Sequence, residues 1–482
     1  MIYDVAIIGA GVSGAATAWQ LSHYELNTIL LEKNADVGFG VSKANSGIVH
    51  GGFHHPVSSL KARLEIRGNL MFEKLQHELG FPFRRCGILV AAFSEEEMAQ
   101  VRHLYNQGLA NGVTNLEMCG RERMLALEPK LNQEVVGGFY APGGGTVEPY
   151  RYVFSLVESA VRNGVDLLCN WQACSGCYHD GHWTVTSTDG GVIEARFIVN
   201  AAGLFADEVS RFCGAEDFHI HPRKGEEYLL DRTSQECPSH VIFPVPTKHS
   251  KGVLVIPTAE GTTMIGPTAD PVEDKQDTET TSSHFRRILD QVRGMVNGLS
   301  PRDVITAFAG LRPVLDTEDF YIAPSEKVPS FIQVAGIQSP GLTASPAIGE
   351  YVKDLLKGQG LKLMEKTAIE YDLSPHHTAR GVSLENLQAL HDENPAWTHI
   401  ICRCEKISEA EIVEAVHKGH TTVDGVKFYT RAGMGRCQGG FCSAKILKII
   451  SRESGIPMEE LTKRGGGSRM LYGRLGDLEV RL

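Results

Sequence analysis

The chain opens with an apolar run of strand type at residues 3–8, a glycine-rich break, and a helical apolar pattern over 15–23. A second apolar run at 28–31 ends on Glu32. The pattern predicts strand, loop, helix, strand, and the loop itself, Gly9-Ala10-Gly11-Val12-Ser13-Gly14, has the spacing G-x-G-x-x-G. Gly9 permits the tight turn, Gly11 lets backbone amides approach a pyrophosphate, and Gly14 lets the helix pack closely. The helix N-terminus adds partial positive charge. Glu32 stands where a carboxylate accepts hydrogen bonds from a ribose diol and repels a 2′-phosphate. A dinucleotide-binding unit is therefore expected at the N-terminus.

Further along, residues 171–185 alternate as a strand region, and 198–202 predict a strand running into the small residues NAAG. Gly341-Leu342-Thr343 precede a small-residue helix at 344–355. A charged helical segment covers about 94–129, and 219–267 is rich in strand patterns. Residues 365–397 are polar and weakly periodic and read as a linker, and 409–417 predict a helix. With 482 residues the chain is too long for one small core. Its 42% hydrophobic content, 51 glycines and net charge of −11 fit a turn-rich enzyme and argue against a non-specific nucleic-acid binder. No apolar run reaches the roughly 20 residues that span a bilayer. Eleven cysteines, an odd number without an export signal, suggest reduced thiols plus a metal site and a cytoplasmic chain, peripheral to a membrane at most.

The loop alone does not separate NAD from FAD. The segment that follows, residues 38–64, is small, polar and histidine-rich where a nicotinamide domain would continue into a regular crossover. A buried flavin needs small residues to let backbone cross its ring, which favours FAD. Only one dinucleotide loop is present, so NADH is not expected to bind. Near the C-terminus Cys402, Cys404, Cys437 and Cys442 stand as C-x-C and C-x4-C with 32 residues between the pairs. Four thiolates suffice for an iron–sulfur cluster. Zinc is the alternative, but its knuckles are usually C-x2–4-C. Cys174 and Cys177, a C-x-x-C inside a strand region, read as packing thiols.

These residues resemble the D-amino-acid-oxidase-like FAD-dependent oxidoreductase superfamily over nearly the whole chain. NSGIVHGG (45–52), SLKA (59–62), KGEEYLL (224–230), FPVP (243–246) and GPTA (266–269) are similar to L-2-hydroxyglutarate oxidase. IVHGG (48–52), AGLRP (309–313) and the cysteine domain with its GIPMEELTKRGGGS tail (455–468) resemble the anaerobic glycerol-3-phosphate dehydrogenase large subunit. ICRCE and GRCQGGFC are similar to bacterioferritin-associated ferredoxin, which implies that Cys402, Cys404, Cys437 and Cys442 hold a [2Fe-2S] cluster. Gly435, Gly439 and Gly440 would turn amides toward sulfur.

The implied fold is α/β: a Rossmann-like FAD-binding domain of glutathione-reductase and D-amino-acid-oxidase type, an inserted α+β substrate domain, and a small helical C-terminal iron–sulfur domain. The expected boundaries are 1–80, 145–218 and 300–362 for the FAD-binding domain, and 81–144 with 219–299 for the substrate domain. A linker at 363–397, a cluster domain at 398–455 and a tail at 456–482 complete the chain. FAD contacts are expected at Gly9, Gly11, Gly14, Glu32 and Lys33, at Ser42, Asn45, Ser46 and Gly47, and at Ala202 and Gly203. Gly310, Gly341, Leu342 and Thr343 complete that set.

The resemblance implies hydride transfer to the flavin from a small anionic hydroxylated substrate, first sn-glycerol 3-phosphate going to dihydroxyacetone phosphate. L-2-hydroxyglutarate or another 2-hydroxy acid, an amino or imino acid, and a non-catalytic electron carrier are the alternatives. Arg312, in GLRPV, matches the substrate-binding arginine of the G-x-R-P motif, and its fork suits a phosphate or carboxylate. Lys224 is a second candidate cation. His50 is expected at the flavin, as an attachment point, an electrostatic partner or a packed ring, while His54 and His55 are within reach of substrate as candidate bases. Two departures stand out. Glu227 occupies the position of a histidine in K-G-x-H, and Phe53 and His54 replace the arginine that follows I-H-G-G; both remove groups suited to phosphate. Electrons are expected to pass to the cluster and then to a partner, whether flavoprotein, ferredoxin or quinone-linked subunit, with oxygen a poor acceptor.

Overall fold

The computed structural model describes all residues except 235–236, 247–251, 372–377 and 474–482. The chain divides into two compact units, Met1–Glu32 with Val37–Leu373, and Lys33–Asp36 with Ser374–Leu482. Each is described separately.

The first unit holds two large sheets. In one, strand Ile2–Ile8 lies between Val192–Asn200 and Thr28–Leu31 and runs parallel to both, and Val165–Leu168 extends the sheet past Thr28–Leu31. Phe331–Ala335 adds in parallel to Val192–Asn200. The hairpin of Ala173–His179 and His182–Ser187 completes the same edge. The central strands are continuous apolar runs because both faces are covered: Val5 to Ile8 and Thr28 to Leu31 are all buried. Helices Val12–Leu21 and Gly341–Gly358 pack so closely that a Cβ on Gly349 would lie 2.6 Å from the Ala16 carbonyl oxygen. Gly68 of helix Leu60–Leu79 meets the Thr343 carbonyl in the same way. Small residues at these crossings bring three helix backbones together beside the glycine loop.

The second sheet runs in the order Asp270–Pro271, His221–Leu230, Thr263–Gly266, Leu254–Pro257, Val241–Pro244, Ile88–Ala92, Gly137–Ala141, Glu117–Gly120. One face packs Leu89, Ile242, Val255 and Ile265 against Ile288 and Val292 of helix Ser282–Arg293. The other packs Val90, Phe139 and Phe243 with Phe53. Strand Val304–Val314 pairs antiparallel along the length of His221–Leu230. Residues 300–314 were expected in the FAD-binding domain, but this strand sits in the second sheet. Ten register pairs with His221–Leu230 hold it there.

The second unit is a small helical body. Glu409–His417, Val423–Thr430 and Ser443–Ser454 surround Ile412, Val426, Ile446 and Ile450, all buried. Ser408 and Glu411 form a capping box that fixes the first helix start. The stretch read as linker contains a helix, Leu384–Glu393, capped by the Ser383 side chain on the Asn386 amide. Only Leu390 of it is buried, so periodicity gave no signal there, and the cap was the available one. Parts of that stretch and of the tail, 372–377 and 474–482, lie outside the described residues.

Candidate active site and cluster site

The glycine loop has the shape its spacing predicts. Gly9 turns at φ +104°, and a Cβ there would meet the Ala201 carbonyl oxygen at 2.5 Å. Gly14 lies directly against the Gly9 carbonyl. Gly11 is the N-cap of Val12–Leu21 and makes no side-chain cap, while Ser42 Oγ accepts from the Val12 amide at 2.8 Å. Glu32 is buried at the end of its strand and accepts from the Ala10 amide at 3.0 Å. A glycine cradle that any Cβ would fill, a helix N-terminus whose N-cap is glycine and a buried acid after the second strand fit the phosphates and ribose of FAD. Gly203, at φ +60°, turns the chain after the Val192–Asn200 strand, beside Ala202. Lys33 groups with the second unit.

Residues 44–52 carry the second part of the site. Asn45 Nδ2 donates to the carbonyls of Val41 and Ser42, and its Oδ1 accepts from the Gly47 amide at 2.9 Å, which folds the segment into a tight turn with Gly47 at φ +64°. On one side this turn meets the second sheet: Gly310 lies against the Ala44 carbonyl, and Ser46 Oγ donates to Glu227 Oε1. On the other it meets the start of Gly341–Gly358, where Thr343 Oγ1 accepts from the His50 amide at 2.9 Å and donates to the Ile48 carbonyl at 3.2 Å. His50 Nε2 lies 3.1 Å from Ser339 Oγ. Leu342 lies in the first turn of the same helix, whose N-cap Pro340 makes no side-chain cap.

Strand register sorts the charged candidates. Arg223, Gly225 and Glu227 face the same side as their partners Arg312, Gly310 and Phe308, whereas Lys224 and Glu226 face the other. Arg312 and Glu227 therefore come together on the face that meets Ser46. Gly225 supplies room, since a Cβ there would lie 2.6 Å from Arg312 Nη2. Lys224 does not join them. It is buried on the opposite face with Nζ 2.7 Å from Asp277 Oδ2, a correction to its place as a substrate cation.

Arg312 is partly buried, and one of its N–H groups donates to the Thr268 carbonyl at 3.2 Å; among the described residues it makes no ion pair. Burial lowers its pKa, and the neighbouring Glu227 opposes that. Glu227, 2% exposed, is pushed up to about 7 by burial, against the Ser46 hydrogen bond and the Arg312 charge. His54 stacks in an aromatic group, 4.4 Å from the Phe53 ring, 5.0 Å from Phe243 and 5.8 Å from His50. Phe53 is fully buried, so the position where the resemblance expected arginine is part of the core. Ser339 and Thr268 were not foreseen. Ser339 stands two residues before the Gly341 motif, which is the signal that was there to be read.

In the second unit the four cysteines come together as two pairs. Cys404 and Cys437 Sγ atoms lie 3.6 Å apart, and Cys442 hydrogen-bonds Cys402. That bond, with the Gly433 and Glu405 amides, lowers the Cys402 thiol to about 6. The Phe441 and Gly439 amides, with Cys404, lower Cys437. Gly433 and Gly439 take φ +91° and +87°, and Gly435 leaves no room for a Cβ beside Cys404. Among the described residues no three His, Cys, Asp or Glu side chains gather around a single-ion position. Two thiol pairs in a loop of inward amides fit a two-iron cluster with two thiolates per iron. Cys174 and Cys177 are both exposed rather than packed, a correction to their reading as packing thiols; a register shift between Ala173 and Ser175 interrupts the strand alternation there.

Residues 4–355 match the FAD dependent oxidoreductase family, and 400–452 match the BFD-like [2Fe-2S] binding domain. The chain belongs to that FAD dependent oxidoreductase family, and it carries a [2Fe-2S] domain at its C-terminal side. It is 41% identical over 479 residues to glycerol 3-phosphate dehydrogenase of Caloramator mitchellensis, covering 98% of both chains. L-2-hydroxyglutarate dehydrogenase of Arabidopsis thaliana mitochondria is 25% identical over 399 residues, covering 72% of this chain and 82% of that one. The FAD-bound structure of L-alpha-glycerophosphate oxidase from Mycoplasma pneumoniae matches with a TM-score of 0.73 and 32% identity, over 77% of this chain and 97% of that one. FAD and a [2Fe-2S] cluster are the cofactors of such a chain.

Proposed function

We propose that the protein is a glycerol-3-phosphate dehydrogenase that oxidises sn-glycerol 3-phosphate to dihydroxyacetone phosphate and delivers the electrons to an accepting partner protein. The observation that carries this reading is Arg312, a partly buried cation that among the described residues donates to the Thr268 carbonyl and makes no ion pair, facing the turn that links glycine loop, second sheet and the Gly341–Gly358 helix. An anion is what such a guanidinium lacks. The preference for glycerol 3-phosphate over a 2-hydroxy acid rests on the similarity to a dehydrogenase of that name along both full lengths, cluster domain included.

In this reading Arg312 holds the substrate phosphate, with Glu227 and Ser46 shaping its surroundings. His50 takes the proton of the substrate hydroxyl; Ser339 Oγ, 3.1 Å from Nε2, orients the ring, and Thr343 fixes its backbone. Bound FAD supplies the two-electron acceptor for the hydride. The N-terminus of Gly341–Gly358, uncapped by any side chain, places partial positive charge on the same side as His50. Cys402, Cys404, Cys437 and Cys442 would hold the cluster. No described helix is long and apolar enough to cross a membrane.

Anaerobic mixing of the holoenzyme with glycerol 3-phosphate or L-2-hydroxyglutarate tests the assignment. Glycerol 3-phosphate should bleach the visible flavin absorption at the lower concentration. Bleaching by the hydroxy acid alone would overturn the phosphate reading, and bleaching by neither would favour a non-catalytic carrier.

A further inference from the structure

The cluster loops end at an exposed face whose composition runs against the rest of the chain. Phe441 lies between Gly440 and the ligand Cys442; its amide bonds the Cys437 sulfur, yet its ring is 85% exposed. Cys404, whose Sγ lies 3.6 Å from that of Cys437, is also exposed. The chain carries a net charge of −11. In the two loops and the helix turns that follow, however, Arg403, Lys406, Arg436, Lys445 and Lys448 are exposed, and no carboxylate is exposed within 400–408 or 431–448. Glu405, the acid in those stretches, is buried against Arg431 at 3.1 Å. Lys445 and Lys448 stand three apart on helix Ser443–Ser454 and share a face.

A single exposed apolar residue needs no explanation. An exposed aromatic ring on a ligand loop, in stretches whose exposed charges are all cations on an acidic protein, does. We propose that this face docks an acidic one-electron carrier protein, with Phe441 as the apolar anchor and the five cations as its rim. Aromatic anchors inside polar rims carry much of the energy of transient interfaces, and opposite surface charge raises the encounter rate without committing the pair to a long residence. The stoichiometry follows from the chemistry. Oxidising one alcohol to a ketone releases two electrons and two protons. Each docking event passes one electron to an oxidised carrier, so two carriers are reduced per substrate and both protons go to water.

The inference rests on the [2Fe-2S] domain and not on the identity of the substrate, so its test is a binding measurement made without substrate. The probes are flavodoxin, an acidic carrier, cytochrome c, a basic one, and vesicles of phosphatidylglycerol. Flavodoxin should bind the holoenzyme, weaken as salt rises from about 20 to 200 mM, and lose roughly tenfold in Kd with Phe441→Ser and again with Lys445→Glu. Cluster absorption should stay unchanged in Lys445→Glu, which alters no ligand loop. If Phe441→Ser disturbs the cluster, the Lys445→Glu result alone decides. Equal binding of cytochrome c, unchanged flavodoxin binding in Lys445→Glu, or vesicle binding with the same dependence on Phe441 would each overturn the proposal.

Discussion

Replacing Glu227 by glutamine tests the electrostatics of the site most directly. The side chain is enclosed, keeps the Ser46 hydroxyl as donor, and lies beside Arg312 with a carboxyl pKa raised from 4.5 to about 7 by burial. For a carboxyl whose folded-state pKa is raised, stability is fully present below 4.5, falls as the pH climbs, and is fully lost above about 7. At about 1.4 kcal/mol per pH unit, the interval corresponds to about 3 kcal/mol. Glutamine accepts the same hydrogen bond without ionising. The variant should therefore match the wild type at pH 5 and exceed it above pH 8, by roughly 4 °C in Tm for a body of this size.

The functional side of the same substitution concerns substrate affinity. Below pH 7 a neutral Glu227 leaves the Arg312 charge to the substrate. Above it the carboxylate competes for that charge and repels the phosphate, and two charges about 5 Å apart at an effective dielectric near 20 interact by about 3 kcal/mol. The KM of the wild type should rise up to tenfold per pH unit above 7, to a ceiling of roughly 100-fold, while Glu227→Gln stays flat. Substrate ionisation affects both proteins alike and cancels in the ratio. Steady-state assays from pH 6 to 9, paired with thermal unfolding, make the measurement. A ratio of KM values that is constant across that range would refute the coupling, and a constant Tm difference would refute the raised carboxyl.

Arg312→Lys keeps the charge but loses the fork, and should raise KM about 30- to 100-fold with a smaller effect on kcat, read from steady-state kinetics. His50→Gln should lower kcat roughly 10²- to 10⁴-fold and remove the acid limb of its pH profile; an unchanged profile would exclude His50 as the base. Cys437→Ser should lose iron and sulfide on elemental analysis while substrate still bleaches the flavin, because the two cofactors lie on separate stretches of chain. Gly14→Ala should purify without FAD, since its Cβ has no room against the Gly9 carbonyl.

The glycine loop and the four cysteines were legible because each is a local device: a few consecutive residues dictate the turn, and the turn dictates the ligand. The helix start at Gly341 was legible for the same reason. Arg312 was singled out by its neighbours in the chain, but its pairing with Glu227 was not, because cross-strand register is a property of two strands far apart in sequence and one residue of slip would have reversed the face. Lys224 failed on that point. In KGEEYLL it read as a second candidate cation, yet strand alternation turns it to the face of Asp277. Residues 300–314 were misplaced likewise, since nothing local tells a strand which of two sheets it joins.

The two halves of the assignment constrain each other through the number of electrons involved. A secondary alcohol gives up two electrons as hydride, which requires an organic cofactor that accepts a pair, and an iron–sulfur cluster carries one at a time. A chain that carries an FAD-dependent oxidoreductase domain and a [2Fe-2S] domain is therefore built to turn a pair into singles. Oxygen could take the pair directly at the flavin and would make the cluster redundant. The basic rim and the exposed Phe441 belong to the same logic: under the docking proposal, single electrons leave to a protein that docks and departs twice in each cycle. An acidic carrier that did so without the four cysteines would break this chain of reasoning at its central link, and Cys437→Ser, assayed with flavodoxin as acceptor, is where that would be seen.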